Sequence, residues 1–345
     1  MKFPLTKRAR VDECREALNR TREERDKYRD RCRMLEAVVG NALNPLEPEE
    51  NFAKKTLART DLRYFGLRGC MRSGTNWLDS LLSRHPEIEC YGEFHLQRLV
   101  GPWRDGLSYL EGRHENLLPI EPFLRHPYES AFKLALARQI REQSTRFIGD
   151  RTPHSIDPIT ISDAKYISVV RDGRDVLVSM AFHFLNVANS ELEAAHGWTV
   201  EDRFPQLASH RPAFVADRSY FKSHPELLLE DEELLRHGAE MWSEIVAADH
   251  GAEQILGADR IRVVRYENLH QDPERITREL FEFLGAEPEA APPLEGSLKP
   301  GFEESPGSFY RHGKVGDWRS YFTQKQADDY FRIAGGSLSL YDYAH

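Results

Sequence analysis

An α/β fold, with a central parallel sheet covered on both faces by helices in three layers, is what this sequence predicts, on three observations. Short apolar or β-branched runs recur along the chain, at residues 64–67, 88–91, 146–150, 164–170 and 260–266. Most are followed by helical apolar spacing, as in Trp77, Leu78, Leu81 and Leu82, or Val176, Leu177, Met180 and Phe184. Strands alternating with helices are the mark of a parallel sheet buried on both sides. With 345 residues there is room for one large domain and an appendage.

The appendage comes first. Residues 11–39 hold neither Pro nor Gly, and Val11, Cys14, Leu18, Thr21, Arg25, Tyr28, Cys32, Leu35 and Val39 alternate three and four apart. That heptad seam, weakened at its middle by Thr21 and Arg25, predicts either a coiled-coil-like or docking helix, through which the chain could form a homo-oligomer, or a solvated helix packed on its own domain. Asn44-Pro45-Leu46-Glu47-Pro48 ends it.

The first strand runs through Gly69 into a turn, Cys70-Met71-Arg72-Ser73-Gly74, and then into a helix. Strand, small-residue turn and helix aim backbone N–H groups and a positive helix end at an anion. Ser73, Thr75 and Asn76 add donors, and Arg72 a charged fork. Gly69 and Gly74 have the spacing of a P-loop, but Thr75 and Asn76 stand where Lys and Ser or Thr belong. Glu93 and His95 follow the second strand, at the sheet edge where ligands bind in open α/β sheets. A helix is expected over about residues 130–143, then a third strand ending in the polar turn Arg151-Thr152-Pro153-His154. The fourth strand breaks at Arg171-Asp172-Gly173, and Ser179 lies two turns along the next helix, so the pair can clamp one anion. Residues 186–233 read as a long irregular segment whose aromatics favour an ordered lid or binding loop over disorder, and Trp103 sits in an earlier Pro-rich, irregular stretch. A long helix over 234–256, a fifth strand through Tyr266, a helix capped by Asp272-Pro273, and a short last helix from about Thr323 complete the chain.

A net charge of −9 argues against broad nucleic-acid binding. No apolar run reaches membrane-spanning length, and Met1-Lys2-Phe3-Pro4-Leu5 lacks a signal-peptide core. The four cysteines have no paired spacing, so neither a zinc site nor a disulfide framework is expected, and cytoplasmic residence is the default.

Taken together, the motifs resemble those of sulfotransferases that use 3′-phosphoadenylyl sulfate (PAPS). Arg72-Ser73-Gly74-Thr75-Asn76-Trp77-Leu78 is similar to their 5′-phosphosulfate loop, and Val170-Arg171-Asp172-Gly173-Arg174-Asp175-Val176 with Ser179 to their 3′-phosphate site. Arg311-His312-Gly313 with Gly316-Asp317-Trp318 resembles their C-terminal signature, and Arg265-Tyr266-Glu267-Asn268-Leu269 a further family segment. The resemblance implies a P-loop-like sulfotransferase domain over residues 60–345 behind an N-terminal helix and linker over 1–45. It implies that Arg72, Ser73, Gly74, Thr75, Asn76 and Trp77 hold the 5′ end of PAPS, and that Arg171, Ser179, Arg311, His312 and Gly313 hold the 3′-phosphate. His312 replaces the common Lys, and Asn76 the usual Thr or Ser. Tyr266 is either an adenine contact or a core aromatic. Glu93 is the implied base, with His95, Asp150 and His154 as alternatives, and Arg151 either steadies the transferring sulfonate or pairs with Glu93. No metal is implied. The acceptor is a glycan, peptide or phenolic small molecule, with a carbohydrate-containing one favoured. A P-loop kinase or other nucleotide phosphotransferase, and a non-catalytic nucleotide-binding scaffold, are the alternative readings.

Overall fold

The computed structural model describes residues 59, 61–93, 105, 121–153, 161–295 and 313–343. The heptad helix, His95, Trp103, His154, Arg311 and His312 lie outside them. The chain divides into two compact units, residues Met1–Thr60 with Gly101–Ala135, and residues Asp61–Val100 with Leu136–His345.

The larger unit is built on five parallel strands: β1 (Arg63–Gly69), β2 (Ile88–Gly92), β3 (Phe147–Thr152), β4 (Lys165–Val170) and β5 (Ile261–Arg265), in the order β2-β3-β1-β4-β5. This is the sheet the sequence predicts. β1 sits at its centre, with Arg68 opposite Thr152 of β3 and opposite Ser168 of β4. Because every strand runs the same way, Gly69, Gly92, Thr152, Val170 and Arg265 all end on one edge.

Alternation along the strands sends side chains to both faces. One face packs Phe65, Leu67, Ile167 and Val169 against α1 (Thr75–Leu82) and a helix over Pro273–Leu284. The other carries α3 (Gly173–Asn186), α4 (Glu232–Leu256) and the C-terminal helix Gln324–Leu340 around Trp242, Phe184, Tyr330 and Val170. Those are the three layers. A buried ion pair joins this second face to the sheet. Arg68 Nε donates to Asp249 Oδ2 at 2.6 Å, and Ser168 Oγ donates to the same oxygen at 2.5 Å. Desolvation offsets much of the attraction in such a buried pair, so its net contribution to stability is small.

Several elements differ from expectation. α2 spans Glu121–Ala137, starting earlier and ending sooner than the predicted 130–143. Past Ala137 the Glu89 carboxylate accepts from Arg141 N at 3.1 Å and Glu142 N at 3.0 Å, which draws the backbone out of helical pairing. Arg151 and Thr152 belong to β3 rather than to a turn, because β1 extends far enough to pair with both and β2 far enough to pair with Arg151. The region read as a long irregular loop is instead a run of short helices: Asn189–His196, Val200–Arg203, Pro205–Ser209, Arg211–Ala216 and Tyr220–Ser223. Each is too short to show a period in sequence. They are held by aromatic packing on α3, with Phe204 stacked on Phe184 at 5.5 Å and Phe214 5.7 Å from Phe182. The C-terminal helix, read as short, has 17 residues, with Thr323 and Gln326 forming a capping box.

Candidate functional site

The turn after β1 is built to leave donors open. Ser73 N closes it onto Cys70 O at 3.0 Å. Arg72 takes φ 69° and Gly74 φ 100°, so two left-handed residues flank Ser73. For Arg72 that conformation costs on the order of 1 kcal/mol, and such strain gathers at functional sites. Gly74 caps α1 with no side chain on the helix end. Trp77 N and Leu78 N both return to Gly74 O at 3.1 Å, which leaves the N–H groups of Thr75 and Asn76 without an intrahelical acceptor. Ser73 is fully buried, and its Oγ has no hydrogen-bond partner among the described residues. A buried hydroxyl in that condition calls for a ligand or water.

A second cluster forms where β4 ends. Arg171 is 6% exposed. Its Nη1 donates to Arg72 O at 3.3 Å and its Nη2 to Lys314 O at 3.0 Å, while its Nε is buried without a partner among the described residues. Its guanidinium lies 4.5 Å over the ring of Tyr266. Ser179, on α3, accepts from Arg72 Nε at 3.2 Å. The cation of the first cluster and the hydroxyl of the second therefore meet.

Tyr266 joins the two. It is not the last residue of a strand, as expected, but the first of a short helix, Tyr266–Gln271. Its hydroxyl donates to Gly313 O at 2.9 Å, its face takes Arg171, and its edge meets Trp77 at 5.8 Å between ring centres. Burial pushes its phenol upward from the ordinary value, with Arg171 opposing the shift. A Cβ on Gly74 would stand 2.6 Å from two carbons of this ring. Gly74→Ala is accordingly expected to destabilise the chain by about 2–4 kcal/mol, from overpacking and a left-handed alanine. Urea unfolding measures this, and a loss under 1 kcal/mol would mean the ring moves freely.

On the far side of the cradle, Arg151 Nη1 donates to Asn76 Oδ1 and Nε lies 3.6 Å from Asp79 Oδ2. The guanidinium rests against Gly92, where an added Cβ would be 2.2 Å from Nη2. Glu93 follows directly and is exposed. Burial raises the carboxyl of Asp79 above the usual range, and Arg151 partly opposes it.

Residues 67–340 match the sulfotransferase domain model. The chain belongs to the sulfotransferase domain family. No curated protein matches it in sequence. Among solved structures it is similar to the mouse sulfotransferase SULT7A1 complexed with PAP, at 15% identity over 81% of this chain and 85% of that one, with a TM-score of 0.41. It is also similar to a retinol dehydratase in complex with androsterone and the inactive cofactor PAP, at 18% identity over 82% and 83%, TM-score 0.44. The sulfotransferase domain of the Synechococcus PCC 7002 olefin synthase is a third, at 17% identity over 83% and 97%, TM-score 0.43. The family assignment rests on the domain match.

Within this sulfotransferase domain, the candidates Arg72, Ser73, Gly74, Thr75, Asn76, Trp77, Arg171, Ser179, Tyr266 and Gly313 stand along one stretch of the sheet's carboxyl edge, and Arg151 and Glu93 stand beside it across Asn76 and Gly92. Asp150, an alternative base, is 5% exposed within β3. Two acids in the site went unassigned by sequence. Asp175 Oδ2 accepts from Gly316 N at 2.7 Å and Oδ1 from Trp318 N at 2.8 Å. Glu267 accepts from Asp172 N at 3.1 Å and from the Tyr343 hydroxyl at 2.8 Å. Both lie inside segments the family resemblance already marked, and that was the only signal. Among the described residues no helix is long and apolar enough to cross a membrane, and no cluster of His, Cys, Asp and Glu is arranged to hold a metal ion.

Proposed function

We propose that the chain transfers a sulfonate group from PAPS to a hydroxyl or amine of an acceptor. The observation that carries this is the pair of anion-ready clusters at neighbouring strand ends: the Ser73 hydroxyl and the Arg171 Nε, both buried without a partner among the described residues, tied together through Tyr266. PAPS has an anionic group at each end, whereas a nucleotide kinase gathers phosphates and magnesium at a single loop. The cradle's lack of a Lys also counts against the kinase reading.

PAPS, when bound, supplies a sulfonate already joined to a phosphate leaving group. Ser73 Oγ with the N–H groups of Thr75 and Asn76 would hold the 5′-phosphate. Arg171, Ser179, Arg311, His312 and Gly313 would hold the 3′-phosphate. Arg72, held by Ser179 here, would turn to neutralise charge as the leaving oxygen develops it. Glu93, exposed at the end of β2, would take the acceptor's proton, and Arg151 beside it would steady the sulfonate. The Glu93 position resembles that of the tyrosylprotein and heparan branches of the family, and on the heparan likeness a carbohydrate hydroxyl is the acceptor class to test first. The short helices over 189–223 are placed in this proposal as a wall of the acceptor cleft, in a cytoplasmic enzyme that pairs through its N-terminal helix.

Incubation with radiolabelled PAPS and a panel of glycans, tyrosine peptides and phenols tests this reading. Labelled product from one class is expected. PAP binding with no product from any acceptor would instead favour a non-catalytic nucleotide scaffold.

A further inference from the structure

We infer that Asp175 is a positioning residue for donor binding: its carboxylate pins the segment from Gly313 to Trp318 onto the strand end that carries Arg171, and so sets the grip on the ribose 3′-phosphate. This rests on the donor proposed above.

The argument begins with geometry. Asp175 lies in the first turn of α3, four residues past Arg171, and is 1% exposed. Gly316, at φ 75°, starts a short turn over Asp317–Ser320, so the N–H groups of Gly316 and Trp318 both face the carboxylate. Each carboxylate oxygen takes one of them, at 2.7 and 2.8 Å, and Oδ2 also stands 4.0 Å from Arg171 Nη2. Lys314, two residues before the pinned Gly316, gives its carbonyl to that same Arg171 Nη2 at 3.0 Å. The carboxylate thus orients Arg171 twice, directly by charge and indirectly through the Lys314 carbonyl.

Two further ties hold the same segment. The Tyr266 hydroxyl donates to Gly313 O at 2.9 Å. Arg174, which donates to both oxygens of Asp172 at 3.0 and 2.8 Å, lies 3.8 Å over the Trp318 ring. Neither tie touches Arg171 Nη2. Tyr266 also bridges the segment to Arg171, through its hydroxyl on Gly313 O and its ring face on the guanidinium. Asp175 adds the charge: its carboxylate is bonded to the segment and stands 4.0 Å from Arg171 Nη2, so its loss should be felt at the 3′-phosphate end of the donor and not the other.

Asp175→Asn keeps the shape but leaves an NH₂ group facing a backbone N–H donor, so one of the two bonds is lost. Calorimetry on the full chain, with PAP and with AMP, which lacks the 3′-phosphate, reads the outcome. PAP should bind about 10-fold or more weaker to the variant, with AMP affinity within about 2-fold of wild type and the donor KM raised more than kcat falls. Equal weakening of PAP and AMP, or a lowered melting temperature with PAP affinity intact, would reduce Asp175 to a structural role and overturn the inference. Should Asp175→Asn fail to fold, Gly316→Ala strains the turn from its other side and must show the same selective loss of PAP. If wild type itself fails to prefer PAP over AMP, the donor reading falls. If wild type prefers PAP and both variants do so equally, the assignment of Asp175 alone falls.

Discussion

Arg171→Ala is expected to weaken PAP binding by about 100-fold or more, close to 3 kcal/mol, while AMP binding stays within a few-fold. Truncating one partner of a buried, hydrogen-bonded charge pair costs about 2–5 kcal/mol. Arg171 is buried, and two of its nitrogens are committed to the carbonyls of Arg72 and Lys314. Its guanidinium plane is also fixed by the Tyr266 ring 4.5 Å away. An anion arriving there meets a cation already aimed, so little ordering is needed on binding. Arg171→Lys should recover only part of the affinity, since an ammonium cannot reproduce the planar fork that spans both carbonyls. Calorimetry decides it, and a PAP affinity unchanged in the alanine variant would remove the 3′-phosphate assignment from this strand end.

The second large effect is on turnover. Glu93→Gln should lower kcat by about 10²–10⁴-fold, the range for loss of a general base, with PAP affinity within about 2-fold. The split follows from placement. Glu93 lies one residue past β2, on the far side of Asn76 and Arg151 from Arg171, so it should meet the acceptor rather than the donor's ribose. Steady-state assays with the acceptor found by the panel, beside PAP calorimetry, separate the two. Retained turnover would pass the base role to Asp150, His95 or His154.

Much of the fold was legible because its signals are local. β4 is a run of β-branched and apolar residues that could sit nowhere but inside a sheet, and Asp172 and Asp272 cap their helices through their own side chains. The turn from Arg72 to Asn76 was legible for the same reason: small residues between a strand and a helix have few other uses. Legibility failed where several elements act together. The short helices between Asn189 and Ser223 have too few residues for a period to show, and they exist because Phe204, Phe214 and Phe221 find Phe182 and Phe184 on α3. Tyr266 reads as a strand residue because the run Ile261–Arg265, with β-branched Ile261, Val263 and Val264, precedes it. Only its contacts to Gly74, Arg171 and Gly313 make it a joint.

Sequence by itself determined that strands alternate with helices, that an anion-binding turn follows the first strand, and that an arginine ends the fourth. Those features depend on residues adjacent in the chain. Tertiary structure alone decided that Arg72 meets Ser179, that Arg151 lies over Gly92 beside Glu93, and that Asp175 receives two backbone N–H groups from more than a hundred residues away. The reason is strand order: with β1 between β3 and β4, turns distant in sequence end at one edge of the sheet, and nothing in a linear reading sets which side chains then touch.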